Sequence, residues 1–378
     1  MSRLIRVVLA LLVLSCAAAD SLAQATARSV TGEGRQRIVL ENERVRVVIE
    51  PNFGRATEFV LKKGGVNTAS PYGLFGERIA GFGPSFEATI AASGPDRAAV
   101  TLKQRGGKPP EWNLELSKTI SLSRGSTAVT VAYAVANTSQ AETRIVIRAH
   151  NGFLFPGATQ GSEDSWYSLA GPQGVRVGYD EQPKPGVRVV SGDFLEVAPA
   201  EGWLAGRSLS GLAFSATMDW RVLDMLYCYL DKSPGATAEW GYNEMVVKPG
   251  EVFRTQYVFA LHEGVTAIHG ARDEAVAGIE LPEDAAAGRK MPAAVCVSSG
   301  RAVRGARVVL EWRTLPETQG RTVGEATLDL AAGEARRAVF DLPPLADNAT
   351  HVLTATVTSD GAPLVQARRV VTLGKSPR

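Results

Sequence analysis

The stretch Thr237-Ala-Glu-Trp-Gly-Tyr-Asn-Glu-Met-Val-Val-Lys-Pro-Gly-Glu-Val-Phe-Arg-Thr-Gln-Tyr257 joins a carboxylate, several aromatics and a sharp turn within two strand lengths. Val246 and Val247 close one extended run, Lys248-Pro249-Gly250-Glu251 supplies a turn, and Val252, Phe253, Gln256, Tyr257 and Val258 resume β-rich sequence. Pro presets the turn and Gly accepts a positive φ, so the stretch predicts a hairpin. Successive strand residues point to opposite faces, which groups Glu239 with Gly241 and Asn243, and Trp240 with Tyr242 and Glu244. A carboxylate beside a glycine suits a group aimed into a pocket, and it equally suits an ordinary solvated strand face.

The same alternation recurs on both sides of this stretch. Residues 45–49, 114–122, 128–135 and 143–147 are β-branched, alternating and bounded by turn formers, whereas long amphipathic helical periodicity is nearly absent. The expected class is all-β. With 378 residues, 38 Gly and 20 Pro, the chain exceeds the usual size of one core and is rich in turns. Residues 265 to 278 form the one stretch that reads as helical, and Pro282-Glu-Asp-Ala-Ala-Ala-Gly288 reads as a linker, so 266–289 is expected to be a linker with a short helix. Six short alternating runs follow between 293 and 371, which predicts a smaller immunoglobulin-like β-sandwich over 290–375. Residues 157–202, rich in Gly, Pro and polar residues and containing Trp166 and Tyr167, suit a wall or lid over a pocket.

Three segments resemble the aldose 1-epimerase (galactose mutarotase) superfamily. Glu239 followed by Pro249-Gly250-Glu251 resembles its late glutamate-bearing strand; Tyr72-Gly-Leu-Phe-Gly-Glu-Arg78-Ile resembles an early Gly-and-Arg segment; and Arg148-Ala-His150-Asn151-Gly-Phe-Leu resembles a His segment. The likeness spans residues 36 to 265. It implies a β-supersandwich there, with a sugar pocket in which Glu239 is the base and His150 the acid of ring opening, and Arg78 holds sugar hydroxyls. Asn151, Trp240 and Tyr242 join the expected binding residues, the aromatics because a sugar's C–H face packs on a flat apolar surface. The family normally uses a second His, but His262, His269 and His351 lie outside the matching segments. Periplasmic glucan-biosynthesis proteins look similar in domain order, and a non-enzymatic cell-envelope scaffold is the alternative from another class.

The chain opens with Arg3 and Arg6, then an apolar run from Val7 to Leu14 and small residues, the layout of a secretory signal over residues 1–25 rather than of a transmembrane span. Ala23-Gln24-Ala25 fits ordinary cleavage, while Val13-Leu-Ser-Cys16 fits a lipobox with a lipid anchor on Cys16. Either reading makes the protein exported, to the periplasm or beyond. The mature chain then keeps Cys228 and Cys296, read as buried free thiols. No zinc-like Cys/His spacing, phosphate loop, dinucleotide fingerprint or nucleophile elbow is present, so neither a metal nor a cofactor is expected. A formal charge of +2 gives no nucleic-acid footprint; the partner that the family resemblance implies is a carbohydrate.

Overall fold

A computed structural model describes residues 24–32, 34–79, 82–83, 85–106, 113–155, 165–171, 174–177, 194–230 and 236–374. Among them the regular structure is β-strand apart from two short 3-10 turns, Pro51–Phe53 and Trp220–Val222. The class is all-β. The leader reading with Cys16, and most of the expected lid, fall outside the described residues.

A nine-stranded antiparallel sheet forms the larger layer, with Val252–His262 near its middle between Ala213–Met218 and Ala128–Asn137. A five-stranded sheet, ordered Phe194–Val197, Leu223–Leu230, Ala236–Tyr242, Ile147–Phe153 and Gly76–Ile79, contributes side chains to the same apolar core. A second five-stranded sheet, from Thr26–Gly32 to Val66–Asn67, completes that core. The alternation in Leu114–Ser123 explains the layering: Leu114, Leu116, Ile120 and Leu122 are buried, while the intervening residues are partly open. The even parity also buries Lys118, whose Nζ donates to the carbonyls of Gly54 and Phe75 (2.8 Å for the latter) and to the Glu77 carboxylate. Trp166 and Tyr167 are buried in Ser165–Gly171 of the large sheet, so these two are packing residues rather than lid.

The expected hairpin is instead a corner. Ala236–Tyr242 lies in the five-stranded sheet, Met245–Val247 pairs with Thr143–Ile145, and Val252–His262 joins the nine-stranded sheet. The turn chemistry is as the residues demand: Glu251 N donates to Lys248 O at 3.0 Å and Gly250 has φ 77°. Buried Asn137 then pins the corner, accepting from Gly250 N at 2.9 Å and donating to Val247 O at 2.7 Å.

The expected helix over 265–278 is absent. Gly270–Arg272 and Ala275–Glu280 are strands, paired with each other and then with Met291–Ser299 and Arg336–Leu342 in one four-stranded sheet. Two glycines in this run are the reason. A Cβ on Gly270 would lie 1.9 Å from Gln366 O, and one on Gly278 would lie 2.0 Å from Ala267 O, so both mark backbones pressed together. The facing four-stranded sheet holds Arg321–Leu330, Val303–Thr314, Thr350–Ser359 and Ala362–Thr372, and the two share their own apolar core. Residues 281–290 are thus a loop within this second sandwich. The passage between the two bodies is buried: Glu263 N donates to Gly333 O at 2.7 Å, Thr127 N to Gly300 O at 2.8 Å, and Val265 and Ile268 pack with Trp203 and Val276. Cys228 and Cys296 are free and buried.

His262 sits in that passage, fully buried, with Nε2 3.1 Å from Ser215 Oγ and Nδ1 3.0 Å from Ser298 Oγ. Burial pushes it down to about 3, and pushes His269, whose Nδ1 accepts from Ile279 N, down to about 3 as well. The unfolded chain therefore binds protons that the folded chain refuses between pH 6.5 and about 3. Stability is full above that window and declines as pH falls through it. We expect the melting temperature to fall steeply below pH 6, and less steeply in His262→Gln; an equal dependence on pH of the urea-unfolding free energy in the two proteins would rule out His262 as a contributor. Limited proteolysis within 281–290 should nick the chain without separating it, giving one species on native size exclusion and two fragments only in denaturant.

Candidate functional site

The five-stranded sheet sets residues in cross-strand ranks. His150 pairs with Gly76 on one side and Glu239 on the other, and Glu239 pairs with Tyr227. The next rank places Arg78 opposite Arg148, and Arg148 opposite Gly241. On the far side of the His150 rank, Thr237 lies between Gly152 and Tyr229. These residues share one face, because neighbours in register point the same way and alternate residues of one strand do too. The face forms the floor of a pocket of about 520 Å³, whose wall includes Phe53, Arg55 and Tyr72. Large side chains stand opposite glycines, His150 against Gly76 and Arg148 against Gly241, which gives the floor its depth.

Glu239, His150 and Arg78, far apart in sequence, therefore converge. The Glu239 carboxylate accepts from Arg148 Nε at 2.6 Å through Oε2 and from Thr237 Oγ1 at 2.7 Å through Oε1, and His150 Nε2 lies 3.5 Å from Oε1. A carboxylate has about four acceptor positions, so these contacts leave room for about one further donor. Tyr72 meets the His150 ring edge to face, with centroids 6.5 Å apart, and the Arg148 guanidinium lies 4.8 Å over the Tyr227 ring. Gly152 allows the Tyr72 contact: a Cβ there would sit 2.3 Å from Ser70 Oγ and 2.7 Å from Tyr72 Cβ.

Three expected binding residues point elsewhere. Trp240 and Tyr242 occupy the opposite parity of Ala236–Tyr242 and are buried in the core, where Trp240 Nε1 donates to Tyr242 Oη at 3.2 Å and the indole meets Tyr257 edge to face at 4.6 Å. Asn151 has opposite parity to His150; buried, it accepts from Phe75 N at 2.8 Å and donates to Ala238 O, fastening strands under the site. The aromatic surface instead comes from Tyr72, Tyr227 and Tyr229. Sequence reading missed Arg148 and Thr237, although each stands two residues from a chosen one, on the same face, and Arg55, which only the fold brings in.

Burial holds His150 below its ordinary value; the Glu239 carboxylate pulls upward, and the guanidiniums of Arg78, Arg148 and Arg55 add to the depression. At pH 7 the imidazole is neutral. It is the pocket's only one, since His262 and His269 are packed around the passage to the second sandwich and His351 lies within that sandwich, bonded to Thr314 and Ala346.

No family model matches the chain, and no curated protein matches its sequence. Among solved structures the chain is similar to a galactose mutarotase-like protein from Lactobacillus casei, 12% identical, over 60% of this chain and 100% of that one, with a TM-score of 0.46. It is similar to a galactose mutarotase-like protein from Clostridium acetobutylicum, 12% identical, over 64% and 99% of the two chains, with a TM-score of 0.46. It is also similar to a TPR-domain containing protein from Parabacteroides distasonis, 13% identical over 60% of this chain, with a TM-score of 0.48; the match spans 47% of that protein. The two galactose mutarotase-like structures each match about three fifths of this chain.

With four histidines in the chain, the His150 ring resonance can be assigned by comparison with His150→Ala. Glu239→Gln removes the one group that raises the His150 pKa, so an NMR titration should show a lower midpoint in the variant. An unchanged or higher midpoint would mean that the two side chains do not interact.

Proposed function

We propose that this pocket recognises a carbohydrate, with Glu239 and His150 poised for proton transfer at the anomeric centre. One observation carries the reading: a carboxylate and an imidazole stand side by side, 3.5 Å apart, on the floor of an aromatic-walled pocket of ligand size. The anomeric hydroxyl and the ring oxygen are bonded to the same carbon, so the groups that serve them must themselves be neighbours. Glu239 takes the proton of the anomeric hydroxyl, protonated His150 delivers one to the ring oxygen, and the C1 to ring-oxygen bond opens to the aldehyde; reclosure on either face reverses the transfers. Tyr72, Tyr227 and Tyr229 supply apolar faces and hydroxyls for the ring. The leader-like residues 1–25 support placing this recognition outside the cytoplasm.

Two features set the chemistry below the binding. Arg148 and Thr237 already occupy both oxygens of the base, and the acid is neutral at pH 7. Recognition is therefore the main function, with slow anomerisation that speeds up as pH falls toward the His150 pKa, below 6.5. Polarimetry or saturation-transfer NMR on freshly dissolved aldoses, beside a glycan-array screen, tests both parts. Glu239→Gln should abolish any acceleration while retaining much of the affinity, and His150→Ala should lose acceleration too. Glycan binding with no acceleration at any pH would leave a recognition domain; no binding and no acceleration would make the Glu239–Arg148 pair structural and the protein a scaffold.

A further inference from the structure

The charges lining the pocket do not balance. Its arginines and carboxylic residues are Arg55, Arg78, Arg148, Glu77 and Glu239. Glu77 is turned inward and held by buried Lys118, with Tyr133 Oη 3.3 Å away. Glu239 is bound to Arg148. Two guanidinium groups are left over. Arg55 donates to the Tyr72 carbonyl at 2.7 Å and lies 5.1 Å over the Phe53 ring, contacts that orient its charge without cancelling it. Arg78 has no carboxylate partner among the described residues, and it stands directly opposite Arg148 across two hydrogen-bonded strands. Like charges in such a pair destabilise a sheet. The pocket thus keeps an unfavourable arrangement that an arriving anion would relieve.

We propose that the sugar recognised here carries an anionic substituent, a carboxylate or a phosphate, and that Arg78, with Arg55 and Arg148 beside it, receives that group. The proposal rests on the carbohydrate reading and narrows it to acidic sugars. Guanidinium groups fit both anions, because their planar fork matches two oxygens at once. The arrangement also links binding to the proton chemistry. The three guanidiniums oppose a proton on His150, so an anion seated among them makes that proton easier to hold. A charged substrate would itself help to supply the acid form that ring opening needs, and a neutral sugar would not.

Calorimetric titration of the full chain tests this with D-galactose, D-galacturonate, D-galactose 6-phosphate, their D-glucose counterparts and inorganic phosphate. We expect at least one charged sugar to bind tenfold or more tightly than its neutral parent, with the advantage shrinking as salt rises. A preference for the uronate or for the phosphate ester identifies the anion. Arg78→Ala should reduce the charged sugar's advantage to less than threefold; Arg78→Lys, which keeps the charge and loses the fork, should fall between. Both substitutions are at an exposed strand position, and unchanged melting curves will show that the fold persists. The charged sugar should also raise the His150 midpoint seen by NMR. Equal affinity for charged and neutral sugars overturns the inference and leaves the carbohydrate reading standing. Inorganic phosphate binding as tightly as a sugar phosphate, with no neutral sugar bound, overturns the carbohydrate reading and the inference with it, as does binding of none of the probes.

Discussion

One buried ammonium group joins the layers on which the site is built. Lys118 extends from the inner face of the nine-stranded sheet, with no exposed surface, and its three donors meet three acceptors: Gly54 O, Phe75 O and the Glu77 carboxylate. Two of those acceptors lie at or beside the edge strand Gly76–Ile79, which carries Arg78; the third ends the 3-10 turn Pro51–Phe53 beside Arg55. Burial pushes Lys118 down and Glu77 up, and each group's charge resists the other's shift. Removing either partner from such a pair typically costs about 3–5 kcal/mol, because the survivor is left without compensation. The wall of the pocket is therefore tied to the opposite sheet by an interaction that tolerates little alteration.

Above this joint, the chemistry is confined to one face. Alternate residues of Ile147–Phe153 and Ala236–Tyr242 make the pocket floor, and those between them make the core. The floor can thus hold a carboxylate, an imidazole and two arginines within a few strand spacings without bringing any of these charges into the apolar layer. The histidines of the second sandwich and of the passage to it are in different circumstances, buried and bonded to hydroxyls or backbone. Their role belongs to packing.

Period-two alternation in residues 114–122 and 128–135 was enough to read the class, because both runs become strands of the large sheet with one face in the core. Glu239 and His150 were legible through motifs, and parity correctly set Trp240 and Tyr242 on the other side of the strand from Glu239. Choosing those aromatics as ligand residues went against that parity, and burial decided for it. The turn at Pro249-Gly250 was legible locally, but which sheet each flank joins depends on partners such as Thr143–Ile145, more than 100 positions away. The false helix at 265–278 has a similar cause: Gly270 and Gly278 are glycines because other backbones press on them, a requirement that no local periodicity expresses. Arg55 entered the site by the same kind of long-range assembly.

The rank order of the pocket floor has a bearing on how the chain finds its fold. If Ile147–Phe153 slipped by one residue against its neighbours, every side chain would change faces. Arg148 and His150 would then be driven among Trp240, Tyr257 and the other apolar residues of the interior, while Ala149, Asn151 and Phe153 came out into the pocket. A strand that was apolar on both faces would pass through such a mispairing at little penalty. Here the charged face makes the wrong alignment costly, so the residues that form the pocket also proofread strand pairing during folding.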